Sequence, residues 1–176
     1  VDASNIWAVS DAGAILKSDG VAWTPQISGT TKSLNSLYAL DKTHVWAVGD
    51  SGTILFFNGT SWSPQVSGTV SKLRSVHGIA ANQVWAVGDG GVTLRFDGTA
   101  WALGPATPAF ALAKILVRSA SSAWIVGQAG SIFTFNGTAW TPQQSDSVHF
   151  LFGLWESPSG QKWAVGGAGA ILSNFK

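Results

Sequence analysis

The apolar residues of this chain come in short runs. Stretches of four to seven residues rich in Val, Ile, Leu, Phe and Trp are each closed by Gly, Asn-Gly or Asp-Gly, and no segment carries an apolar stripe at helical spacing. Runs of that length suit strands, and their punctuation is the chemistry of tight turns. Over residues 34–68 the pattern predicts four consecutive antiparallel strands: LNSLYAL (34–40), HVWAVGD (44–50), TILFFNG (53–59) and SWSPQVSG (61–68).

The order of the runs then repeats. Trp7, Trp46, Trp85, Trp124 and Trp163 stand 39 residues apart, and Trp23, Trp62, Trp101 and Trp140 keep the same step. Gly13, Gly52, Gly91, Gly130 and Gly169 follow it too, as do Leu37, Val76, Ile115 and Leu154. Units fall at about 1–33, 34–72, 73–111, 112–150 and 151–176. Four short strands in a unit of this length make a β-propeller blade. One sheet cannot bury both faces alone, so each offers the same large side chains to its neighbour, and the tryptophans recur because that contact recurs. The expectation is an all-β fold: a single β-propeller domain over residues 1–176, with five blades of 39-residue four-stranded repeats. The first and last blades are incomplete. Unit one has no counterpart of LNSLYAL and the last stops at AILSNFK, leaving eighteen strands in place of twenty. Either the chain is part of a longer one, or the ring closes between two partial blades, or its open strand edges pair with another copy.

WAVGDSGTILFFNGTSW and WAVGDGGVTLRFDGTAW resemble the WAVG-type propeller repeats of bacterial exported proteins, which are related to the bacterial-neuraminidase repeat and to photosystem II assembly-factor propellers. The likeness covers practically the whole chain. SDGVAW (18–23), FNGTSW, FDGTAW and FNGTAW are similar to a shortened Asp box, which in that family is a folding element away from the active site. The resemblance implies a fold and a secreted or cell-surface bacterial setting, and hardly any activity.

Composition narrows the chemistry. Ten Lys plus Arg against nine Asp plus Glu give a net charge of +1, which offers nucleic acid no basic stripe. Cysteine is absent, removing disulfides and thiolate metal sites. No apolar run approaches the ~20 residues of a membrane span, and the start VDASNIWAVS reads as a mature or excised segment. A sialidase-like enzyme needs an arginine cluster, a tyrosine nucleophile and acid-base carboxylates, whereas the stock is Arg74, Arg95, Arg118, Tyr38 and Glu156, with the arginines at different strand positions. His44, His77 and His149 lie in no motif that orients a serine. No catalytic residue, metal site or cofactor is therefore assigned. Asp11, Asp50 and Asp89 recur one per unit, which suits a turn better than a calcium loop. Asn58-Gly59-Thr60 and Asn136-Gly137-Thr138 are formal glycosylation sequons, yet Asp19 and Asp97 hold the equivalent positions, as expected of a turn residue.

Positions that differ between units are those released from the framework. Tyr38, His77, Leu116 and Trp155 form one such set on the strand nearest the axis; Ser36, Ser75, Lys114 and Gly153 form another, and Leu40, Ile79, Arg118 and Ser157 a third. Aromatic and imidazole groups stack on sugars or anchor peptides, although filling unequal gaps between diverged blades explains them as well. The expected ligand-binding set combines Tyr38, His77 and Trp155 with Asp50, Asp89 and Gln128 from the turns after WAVG, and with the segments Ser28–Thr30 and Ser67–Thr69, on one end of the disc. The function these features predict is a non-enzymatic binding or scaffold module for a protein or carbohydrate ligand. A glycan-directed enzyme and a purely structural unit of a surface assembly are the alternatives.

Overall fold

A computed structural model describes residues 4–173. They form eighteen strands in five antiparallel sheets, each running in chain order. Sheet 1 holds β1 (Ile6–Val9), β2 (Ile15–Ser18) and β3 (Trp23–Gln26). Sheet 2 holds β4 (Leu34–Asp41), β5 (His44–Gly49), β6 (Ile54–Phe57) and β7 (Trp62–Gln65). Sheet 3 holds β8 (Leu73–Ala80), β9 (Gln83–Gly88), β10 (Thr93–Phe96) and β11 (Trp101–Leu103). Sheet 4 holds β12 (Leu112–Ser119), β13 (Ser122–Gly127), β14 (Ile132–Phe135) and β15 (Trp140–Gln143). Sheet 5 holds β16 (Leu151–Glu156), β17 (Lys162–Gly166) and β18 (Ile171–Ser173). The strands β4, β8, β12 and β16 pack on one another in succession, which puts them on the inside of the arc.

Alternation along each strand sends one residue to the preceding sheet and the next to the following one. Four apolar layers result. The second, for example, joins Trp46, Val48 and Ile54 of sheet 2 to Leu73, Val76, Val84, Ala86, Leu94, Phe96 and Trp101 of sheet 3. The others join sheets 1 and 2, 3 and 4, and 4 and 5 through equivalent residues. Among the described residues no such layer joins sheet 5 to sheet 1. Leu16 is 39% exposed where its equivalent Leu55 is 2%, and Ile171 is 66% exposed where Ile54 is 1%. Sheet 1 thus lacks a neighbour on one side and sheet 5 on the other.

The turns sort to the two ends of the strands. After each WAVG strand the chain makes a tight turn, Asp50–Gly52 in sheet 2, whose last amide donates to Ser71 O in the connection leading to the next sheet. At the opposite end Asp19, Asn58, Asp97 and Asn136 each accept through Oδ1 from the amides two and three residues on, at 2.7–3.0 Å. Asn and Asp interchange there because both supply that acceptor. Gly59 of this turn sits over Thr43, so the 41–44 hairpin shares its end.

Candidate functional site

The polar turn residues expected to face a ligand are engaged with the protein itself. Asp50 Oδ1 accepts from Asn35 Nδ2 at 2.9 Å and lies 3.0 Å from Lys72 Nζ, while the same Asn35 amide donates to Leu73 O across the junction to sheet 3. The Asn35 amide and the Lys72 ammonium hold the Asp50 carboxyl below its usual range. Asp89 pairs with Arg74 through both carboxylate oxygens, and Gln128 Oε1 accepts from Ala111 N at 3.2 Å. Asn35 and Arg74 are equivalent positions 39 residues apart, so two different side chains do one job, fastening the turn to the inner strand. Nothing in the hydrophobic pattern marks them. Their signal is a polar residue second in the inner strand, facing the Asp of the turn fifteen positions on.

The inner aromatics divide. Tyr38 packs into the layer between sheets 2 and 3, where its ring lies 4.7 Å from that of His77, and burial pushes its phenol pKa up. His77 Nδ1 accepts from Val117 N at 3.1 Å, which fixes the neutral tautomer with its proton on Nε2. Burial first, then the charges of Lys114 and Arg118, push its pKa down to about 4. Trp155, by contrast, is 57% exposed, because it points to the side of sheet 5 that has no neighbour; Phe152, three residues earlier in the same strand, is equally exposed. The structure therefore brings Tyr38 and His77 together in the frame and leaves Trp155 free.

Lys114 follows neither pattern. It is half-buried on the inner strand of sheet 4, burial pushes its ammonium pKa down, and among the described residues it makes no ion pair or hydrogen bond. Arg118, four residues along the same strand, forms an ion pair with Glu156 of sheet 5, Nε 3.1 Å from Oε2.

Hollows lie elsewhere, on the rim. One of about 670 Å³ is open and lined by Gln65–Val70, which includes the segment Ser67–Thr69. Two smaller clefts stand one repeat apart, about 320 Å³ between Pro25–Ile27 and Thr60–Trp62, and about 230 Å³ between Gln65–Val66 and Phe96, Thr99–Trp101. In the second, Trp101 Nε1 donates to Gln65 Oε1 at 2.7 Å. The residues a glycosidase would need are dispersed: Arg74 is held by Asp89, Arg118 by Glu156, Arg95 lies over the Trp85 ring, and Tyr38 is in a packing layer. Among the described residues no three His, Asp or Glu gather as metal ligands, and no helix is long and apolar enough to cross a membrane.

The architecture is that of a β-propeller, and solved structures agree. YCF48 bound to D1 peptide superposes with a TM-score of 0.74 at 18% identity, over 98% of this chain and 60% of that one. YCF48 from Cyanidioschyzon merolae gives 0.73 at 16% identity, over 95% of this chain and 62% of that one. The WD40 β-propeller domain of Doa1 gives 0.67 at 15%, over 98% and 66%. At these identities the likeness is one of fold, and the chain spans about three-fifths of the length of the YCF48 structures it matches. No protein-family profile matches the sequence, and no curated protein is similar to it.

Proposed function

We propose that this chain is a non-enzymatic protein-binding scaffold that docks a polypeptide against the inner strands of sheets 4 and 5. The observation that carries the reading is the set of Lys114, Phe152 and Trp155, which stand without hydrogen-bond or ion-pair partners among the described residues, on a frame where Asn35, Ser36, Arg74, Ser75 and His77 of the other inner strands are already bonded. An exposed indole and phenyl supply apolar anchor area, and the lysine supplies charge. That a structurally similar propeller, YCF48, carries a bound peptide supports the same use of the fold. A carbohydrate ligand rests on the aromatic and imidazole groups of the inner strands, and the WAVG-repeat affiliation and an exported bacterial setting rest on the repeat resemblance. Self-association is part of the proposal as well, since the two uncovered sheet faces are each half of a contact the chain makes four times internally.

The test is a peptide display selection run beside a glycan array on the isolated chain, followed by binding to Trp155→Ala, Phe152→Ala, Thr60→Ala and Thr138→Ala. Loss of affinity in the first two with retention in the last two is expected. Loss confined to the Thr60 and Thr138 variants, in the turns between the third and fourth strands of sheets 2 and 4, would overturn the placement. Turnover of sialosides that disappears in Glu156→Gln would overturn the non-enzymatic reading.

A further inference from the structure

The inner strands of sheets 2 to 5 each have one edge with no strand beside it, so alternate amides on that edge need another acceptor. At two junctions the preceding inner strand provides it. Ser36 Oγ accepts from Val76 N at 3.4 Å, Ser75 Oγ from Ile115 N at 3.3 Å, and His77 Nδ1 from Val117 N at 3.1 Å, each acceptor 40 residues before its amide. Applied to the junction of sheets 4 and 5, the same register pairs Leu154 N with residue 114 and Glu156 N with residue 116. Those positions hold Lys114 and Leu116. Neither can accept: a lysine ammonium has three donors and no lone pair, and leucine has no polar atom.

Donor therefore faces donor at Lys114 and Leu154 N; Gly78 N, opposite Tyr38 in the same register, also has no side-chain acceptor among the described residues but faces no cation. Among the described residues no side chain accepts from Leu154 N or Glu156 N, and the carboxylate of this strand, Glu156, is held by Arg118. The missing chemistry is a small, negatively charged acceptor with two oxygens, able to take an ammonium on one and a backbone amide on the other. We infer that Lys114 and the edge amide of Leu154 form a seat for a carboxylate of the docked polypeptide. The inference rests on the protein-binding reading above. Burial that weakens the Lys114 ammonium fits an ion pair that is completed only when the partner arrives. Phe152 and Trp155 on the same strand would then anchor the apolar neighbours of that carboxylate.

Acetate is the probe, added to the ¹⁵N-labelled full chain at neutral pH against chloride of equal ionic strength. The expected result is a saturable shift of the Leu154 amide resonance, absent at Val76, Ile115 and Val117, whose acceptors are internal. Lys114→Met should weaken acetate at least tenfold, with an otherwise unchanged spectrum certifying the fold; were that variant unfolded, the Cε resonance of Lys114 in the native chain should report a raised pKa on saturation with acetate. No shift at Leu154, an equal shift in Lys114→Met, sulfate binding as tightly as acetate, or acetate binding only in Glu156→Gln would each overturn the seat. The two readings fail separately. Saturable acetate without any polypeptide ligand leaves the seat standing and removes its use, whereas polypeptide binding indifferent to Lys114→Met removes the seat alone.

Discussion

His77 shows how one side chain is committed to the frame. Its Nδ1 must stay unprotonated to accept from Val117 N, and burial with two nearby cations keeps it so down to a pKa of about 4, against about 6.5 for the unfolded chain. Because the folded value is depressed, the unfolded state binds more protons between those limits. The stabilisation is then complete above about pH 6.5 and is lost as pH falls toward 4, by up to about 3 kcal/mol. Denaturant titrations at pH 7 and pH 4.5 should show that loss, and His77→Gln, whose amide oxygen can still accept, should flatten it. The neighbouring aromatics differ in the same physical way. Trp46→Ala empties a fully buried site and should cost about 3 to 5 kcal/mol, whereas Trp155→Ala should cost less than about 1, as thermal melts will show. In the sequence Tyr38, His77 and Trp155 are one aligned set. What separates them is whether the next sheet is there to cover them, and that depends on residues about 40 positions away.

At the scale of the element, strands and turns are legible because each is a local decision. The 39-residue period and the Gly-bounded apolar runs place all eighteen strands, and the inner strand LNSLYAL appears as β4 with one further residue. The turn after WAVG holds two consecutive residues at positive φ, Ser51 at 55° and Gly52 at 68°. Positive φ favours Gly or Asn, yet Ala12, Ser51, Ala129 and Ala168 occupy the first of the two positions. Only the second is closed to a side chain, since a Cβ on Gly52 would lie 2.0 Å from Thr69 O. Gly52→Ala should therefore cost about 3 kcal/mol or more, combining left-handed strain with a backbone clash. Gly68→Ala, at φ 72° with open space around it, should cost about 1. Equilibrium unfolding of the pair separates strain from crowding. The staples that fasten these turns, Asn35 to Asp50 and Arg74 to Asp89, escaped the pattern because the two inner-strand side chains share no chemistry beyond donating to a carboxylate.

For the whole molecule, the repeat predicts how one sheet meets the next and is silent on what meets the last. Five sheets here make four layers, and the shortfall is carried by two faces that are each other's counterparts. The uncovered side of sheet 1 presents Ile6, Leu16 and Trp23, the equivalents of Val45, Leu55 and Trp62, which in sheet 2 seat against the sheet before. The uncovered side of sheet 5 presents Val165 and Ile171, the equivalents of Val48 and Ile54, which receive the sheet after. Each face is built to be dry and is wet. A charge placed on either should be nearly neutral for folding, because Leu16→Lys and Ile171→Lys put an ammonium where water already reaches. The same change at Leu55 or Ile54 should cost about 3 to 5 kcal/mol or prevent folding, since it strands an unpaired charge inside a layer. Apolar faces of this kind also drive association, so sedimentation velocity should show species larger than the monomer growing with concentration, and Leu16→Lys with Ile171→Lys should return the chain to a monomer. A wild-type chain that stays monomeric at high concentration, or association that survives both charges, would remove these faces as the cause.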